Sequence, residues 1–138
     1  MTETTISELC GFAEGDNRFN DYIGIRDVHI DDNGDLYLVV PVTEEMLNPY
    51  GTIHGAVLFA ICDSAAGTYL YSRQRASVTM NSDMSFFRPA LLGDVLTARV
   101  IERKTGSLVT VLTVEIYNQE EKLVAEGSFH MYRTEVNK

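Results

Sequence analysis

The chain has 138 residues, 45% hydrophobic and 22% charged, enough for one domain with its own core and too short for two. Eleven Lys and Arg against twenty Asp and Glu give a formal charge of −9. That balance excludes a general nucleic-acid-binding surface and electrostatic docking on an anionic membrane, since both need clustered cations. The charge is uneven: residues 1–70 hold 12 acidic and 2 basic residues, and residues 71–138 hold 8 and 9. An anionic ligand would find its positive partners in the second half, among Arg73, Arg75, Arg88, Arg103 and Lys104. Two cysteines, Cys10 and Cys62, stand far apart with no CxxC, which predicts free thiols and no disulfide framework. The first residues lack the basic flank and apolar run of a signal peptide, so a cytoplasmic protein is expected.

Residues 1–20 read as an N-terminal extension, with a short helix expected over residues 2–12 and a stop near Gly11. Residues 22–30 and 35–43 predict a hairpin around the Asn33-Gly34 turn signal, with Leu36, Leu38, Val40 and Val42 alternating onto one face. Residues 44–52 form an irregular approach segment. From Ile53 to Tyr71 the only formally charged residue is Asp63. This run is too long for a strand and apolar nearly all round, which predicts a buried helix. The carboxylate in mid-run and the small residues Gly55, Ala60, Ser64, Ala65, Ala66 and Gly67 weigh against a membrane span. Four strands follow. Residues 76–88 place Val78, Met80, Met84 and Phe86 on one face, and residues 94–104 come after Gly93. Residues 107–117 align Leu108, Thr110, Leu112, Val114 and Ile116, and residues 122–132 complete the set. One buried helix with about six long strands predicts a single α+β domain over residues 1–138, an antiparallel sheet curled round the helix.

Three features of the stretch Asn48 to Asp63 carry chemistry. His54-Gly55 opens the buried helix, Asp63 lies in its middle, and Asn48 sits on the loop that feeds it. A helix N-terminus has unsatisfied N–H groups and a positive dipole end. Gly55 leaves its N–H open to a ligand oxygen, as an oxyanion forming on an acyl carbonyl requires. A His-Gly pair can also simply open a helix. Asp63 in a buried helix must be paired, hydrogen-bonded or protonated. It is either a structural partner of a hydroxyl or N–H, or a general base or nucleophile. It follows His54 by nine residues, about 900° of helical rotation and roughly 13.5 Å of rise, which sets the two on opposite faces. If both serve one reaction, the site is built between two copies of the chain; otherwise they serve different ends. On the next strand Thr79 is a hydroxyl able to orient a water, or only a good strand former. Arg88 before Pro89 marks a strand end with an exposed guanidinium. His29, His54 and His130 are isolated and lack metal-ligand spacing. There is no phosphate-binding Gly-rich loop and no G-x-S-x-G elbow.

Taken together, Asn48-x5-His54-Gly55, the helix with Asp63 in Cys-Asp-Ser-Ala, then Val-Thr-Met-Asn-Ser-Asp-Met-Ser-Phe-Phe-Arg-Pro-Ala and Leu-Leu-Gly-Asp, resemble the hot dog thioesterases of the phenylacetyl-CoA thioesterase (PaaI-like) type. The resemblance runs from about residue 20 to residue 132. It implies a hot dog fold, a homodimer or dimer of dimers, and hydrolysis of an acyl-CoA thioester. It implies no metal and no cofactor beyond the coenzyme A of the substrate. It also implies that Asp63 of one subunit is the general base or nucleophile, while Gly55 of its neighbour donates to the thioester carbonyl. Asn48 and His54 match supporting polar residues, and Thr79 falls where some relatives have a hydroxyl that helps place the water. Asn81, Arg88, Arg103 and Lys104 are the expected substrate-binding residues, the basic ones offsetting the acidic surface toward the phosphates of CoA. The family's usual His-Gly-Gly reads His54-Gly55-Ala56 here. Two other activities fit the same fold: a non-catalytic acyl-CoA-binding module and a hot dog dehydratase or hydratase. The latter is disfavoured because Asp63 sits at the thioesterase-type offset after His-Gly.

Overall fold

The computed structural model describes residues 2–12 and 17–134. Its elements run β1 (Thr2–Thr5), α1 (Ile6–Cys10), α2 (Arg18–Ile23), β2 (Asp27–Ile30), β3 (Leu36–Pro41), α3 (Gly55–Ser72), β4 (Ser77–Phe86), β5 (Val95–Thr105), β6 (Val109–Tyr117) and β7 (Leu123–Arg133). The strands form one sheet in the order β1-β2-β3-β5-β6-β7-β4, antiparallel at each pairing. The sheet wraps α3, as the long apolar run predicts.

α3 is buried on most of its circumference through Leu58, Ala60, Ile61, Cys62, Ala65, Ala66, Thr68, Tyr69 and Leu70. Its small side chains let the sheet close on it. Leu38 and Val40, Leu96 and Ala98, Leu112, Val114 and Ile116, and Phe129 and Met131 supply the facing side of the core. One stripe of the helix is less covered: Ala56 and Phe59 are exposed, and Asp63 and Gly67 are half-buried. These positions recur at helical spacing, so they form one face.

The N-terminus differs from the expected helix over residues 2–12. Thr2–Thr5 pairs along β2 instead, and α1 occupies only Ile6–Cys10, which makes seven strands rather than six. Thr5 is the reason for the switch. Its hydroxyl accepts from Glu8 N at 3.1 Å while the Glu8 carboxylate accepts from Thr5 N at 2.9 Å, a reciprocal cap that fixes the helix start. Gly11, at φ 69°, ends the helix where the sequence predicts. The expected strand over residues 22–30 is also shorter. Tyr22 and Ile23 belong to α2, Gly24 ends that helix at φ 84°, and β2 begins at Asp27. The Asn33-Gly34 turn forms as read, with Asp31 Oδ1 accepting from Asn33 N and Asp35 N at 2.9 and 3.0 Å.

β4 carries a further correction. Its pairing with β7 steps from Thr79↔Met131 to Asn81↔His130, so Met80 is an extra residue in a β-bulge. The bulge swaps faces. Thr79, Ser82, Met84 and Phe86 lie opposite buried residues of β7 and face α3, whereas Val78 and Asn81 lie on the outer side. Val78 therefore does not share the face of Met84 and Phe86, and Met80 has no partner in the register. Leu108, expected to share a face with Thr110, Leu112, Val114 and Ile116, precedes β6 and is exposed. β4 is an edge strand of ten residues, and Val78, Met80, Phe86 and Phe87 along it are each more than half exposed. A long edge strand with exposed apolar side chains is a template for pairing.

Candidate active site

The approach loop is built by Asn48. Its Oδ1 accepts from Tyr50 N at 2.9 Å and Thr52 N at 3.2 Å, and its Nδ2 donates to Thr52 Oγ1 at 2.9 Å. Gly51 at φ 82° closes the turn, and Asn48 N donates to Thr52 O. Asn48 thus shapes the loop that delivers His54, whose N–H donates to Met46 O at 2.8 Å.

His54 caps α3. Its Nδ1 accepts from Ala56 N at 3.1 Å, and its carbonyl accepts from Val57 N and Leu58 N at 2.9 and 3.3 Å. A helix normally begins with four unsatisfied N–H groups. Here His54 accepts from two of them, Ala56 N and Val57 N, its own N–H goes to Met46, and the Leu58 bond is the first regular turn of the helix. Among the described residues, only the Gly55 N–H of the first turn has no partner in the protein. Neither conformation nor packing demands glycine at this position. Its φ is not positive, and an added Cβ would stand 3.5 Å from the Phe86 ring, an ordinary contact. What glycine leaves is room for a ligand to reach the N–H at the positive end of the helix dipole. Ala56 in place of a second glycine fits, because its N–H serves the His54 cap.

Asp63 sits two turns further along α3, half-buried. The Thr79 hydroxyl, turned inward by the bulge, donates to Asp63 Oδ1. It also lies 3.4 Å from the Met131 sulfur. Its single proton is thereby committed to the carboxylate, so toward a water it can only accept. Asp63 Oδ2 has no hydrogen bond among the described residues. The neighbouring Cys62 is buried, and burial with the adjacent Asp63 charge pushes its thiol well above the usual range, so it is no nucleophile. On the other side, Ser64 Oγ donates to Oδ1 of the buried Asn20 at 2.7 Å, which ties α2 to the helix.

The expected cationic residues divide by position. Arg88 lines a cavity of about 350 Å3 together with Gly55, Ile53, Leu58, Phe86, Phe87 and Pro89. Arg103 and Lys104 lie at the opposite end of the sheet, toward Thr105, where Arg103 Nε donates to Thr113 Oγ1 at 3.0 Å. Asn81 faces outward beside His130, away from Thr79 and Asp63. Arg73 and Arg75 are engaged elsewhere. Arg73 stacks 4.4 Å over the Tyr69 ring, and Arg75 pairs with Glu102 at 2.7 Å. Arg75 and the Thr105 hydroxyl hold the Glu102 carboxyl down to about 2. Within one chain, then, the structure joins Asp63 with Thr79, and Gly55 with His54 and Arg88. It does not join the two groups. Sequence reasoning missed Phe86 beside Gly55; the aromatic pair before Arg88-Pro89 is the signal that marked it.

The comparisons with known proteins give the family and the fold. Residues 50–125 match the family model of the thioesterase superfamily, and the chain belongs to that family. It is similar to the acyl-coenzyme A thioesterase PaaI of Escherichia coli, 36% identical over 68% of this chain and 67% of that protein. The fold matches the structure of the E. coli PaaI protein with a TM-score of 0.80, at 32% identity over 87% of this chain and 86% of that one. A hypothetical thioesterase protein of Streptococcus pneumoniae with coenzyme A matches with a TM-score of 0.74, at 30% identity over 80% of this chain and 90% of that one. Structures of two alanine variants of the S. pneumoniae protein are also similar to this chain. They replace an aspartate and a threonine that are 16 residues apart, the separation of Asp63 and Thr79 here.

Proposed function

We propose that the chain hydrolyses acyl-CoA thioesters as a homodimer with two equivalent sites. Each site takes Asp63 and Thr79 from one protomer and His54 and Gly55 from its partner. The observation that carries this is the split within one chain. Eight residues separate Gly55 from Asp63, about 12 Å along the helix. Helical N–H groups point toward the N-terminus, so the Gly55 donor is directed away from Asp63. A second copy repairs the split. If two β4 edges pair antiparallel about a two-fold near mid-strand, the Thr79 end of one meets the Phe86 end of the other, and Gly55 lies beside Phe86. The same pairing covers Val78 and Met80 and supplies the edge with hydrogen-bond partners. Two such dimers joining would give a dimer of dimers.

The chemistry follows from the free atoms. The thioester carbonyl oxygen accepts from the Gly55 N–H. A water donates one hydrogen to Thr79 Oγ1 and the other to Asp63 Oδ2. Asp63 takes the latter proton as the water oxygen forms its bond to the carbonyl carbon. The negative charge that develops on the carbonyl oxygen rests on the Gly55 N–H and the helix dipole. The intermediate collapses, the C–S bond breaks, and the proton held by Asp63 passes to the departing thiolate of CoA. The products are the free acid and CoA. Arg103 and Lys104 of the protomer that supplies Asp63 offer positive charge for the CoA phosphates, while Arg88 of the other lines the cavity beside Gly55. The buried free thiols Cys10 and Cys62 suit a reducing, cytoplasmic compartment.

Release of free thiol from a panel of acyl-CoAs tests the activity. A binding module or a dehydratase would take up the ligand and release none. Light scattering should give two or four chains, and a stable, active 15.4 kDa monomer would contradict the shared site.

A further inference from the structure

Phe86 ends β4 on the face turned toward α3 and lays its ring against Gly55. A Cβ on that glycine would stand 3.5 Å from Cζ and 3.7 and 3.9 Å from the two Cε atoms. The side chain is nonetheless 52% exposed in the single chain, so one face of the ring is free. That ring forms part of the cavity of about 350 Å3, alongside Ile53, Leu58, Phe87 and Pro89. Ile53 and Leu58 are core residues, so the cavity abuts the core.

We propose, on the basis of the hydrolytic function above, that Phe86 is the residue that sets acyl-group size. The carbonyl is held on the Gly55 N–H, and the acyl group lies in this cavity against the Phe86 ring. Two observations select the acyl half of the substrate over the CoA half. The first is position: the Phe86 ring lies directly against the residue that bears the free donor. The second is the chemistry of the lining. The pantetheine arm of CoA carries two amides, which need hydrogen-bond partners when buried. The cavity's lining side chains are aliphatic or aromatic apart from Arg88, itself exposed, and the Gly55 N–H beside them is taken by the thioester carbonyl. An apolar acyl group matches that lining; an amide-bearing arm does not. A rigid aromatic wall next to the reacting carbon also discriminates by shape, because its ring cannot fold out of the way as an aliphatic chain does.

The test is kcat/KM across straight-chain and aryl acyl-CoAs of rising bulk, for wild type, Phe86→Ala and Phe86→Tyr. Phe86→Ala should raise the bulkiest substrates relative to acetyl-CoA by about tenfold or more, the scale on which apolar pockets discriminate. Phe86→Tyr keeps the ring and should keep the wild-type order. A uniform fall across the series would assign Phe86 to the CoA half, common to every substrate, or to support of Gly55. That result overturns the proposal, as does an unchanged series in Phe86→Ala. If wild type releases thiol from no acyl-CoA, the hydrolytic reading fails and takes this one with it.

Discussion

Gly55→Pro isolates the oxyanion donor, because the fold has no use for the atom it removes. Gly55 is the first residue of α3, where proline is favoured. His54 stands at φ −68° and ψ 135°, the extended conformation a residue before proline adopts. The Gly55 N–H makes no hydrogen bond within the described protein, and a side chain at this position meets only the Phe86 ring at ordinary distance. Folding stability should therefore change by less than about 1 kcal/mol. Catalysis should lose one preorganised donor, roughly 2.7–4 kcal/mol of barrier, a fall in kcat of about 100- to 1,000-fold. Thiol release and thermal unfolding measure the two effects on one preparation. Gly55→Ala is the control: it keeps the N–H and should retain far more activity than Gly55→Pro. A folded Gly55→Pro with near-normal kcat would refute the donor role. Equal loss in both variants would mean that space at residue 55, not its N–H, is what catalysis needs.

Asp63→Asn keeps the shape and an acceptor for the Thr79 hydroxyl but removes the base; thiol release should drop about 100-fold or more with the fold intact by circular dichroism. Near-normal turnover in that variant would reduce Asp63 to a structural role. Thr79→Val removes the hydroxyl at nearly constant volume, so kcat should fall about tenfold or more through the lost bond to a charged group, with KM little changed. Thr79→Ser should recover much of the loss, and a Val variant as fast as wild type would sever Thr79 from the chemistry. Gly127→Ala tests the packing that orients β4: the new Cβ would collide with the Met84 sulfur and stand 2.7 Å from Phe129 Cε1. Overpacking of this kind costs about 1–3 kcal/mol, read as a lower denaturation midpoint with unchanged slope.

The central helix and its two chemical positions were legible because they break a pattern. A nineteen-residue stretch with one charge makes Asp63 conspicuous, and a glycine at the head of such a run marks the helix start. Spacing alone then showed that His54 and Asp63 face apart, and the structure leaves Gly55 and Asp63 in separate clusters. What escaped the sequence was set by partners remote in the chain. Thr2–Thr5 is a strand because β2 lies beside it, and four polar residues carry no pattern of their own. The bulge at Met80 is one extra residue, yet it exchanges the faces of β4 and turns Thr79, not Val78 or Met80, toward Asp63. Period-two counting across that residue put Phe86 in the wrong company and hid its contact with Gly55. Asn20 gave no signal either, since its burial depends on Ser64, 44 residues away.

The shared site is tested most directly by mixing two dead variants. Gly55→Pro and Asp63→Asn homodimers should each be nearly inactive. In a mixed dimer, one site then has both groups intact and the other has neither. Co-folding equal amounts should restore about a quarter of wild-type activity, because random pairing makes half the dimers mixed and each carries one working site. No recovery, with mixed dimers confirmed by mass spectrometry and both variants shown to be folded, would mean that each site draws Gly55 and Asp63 from the same chain.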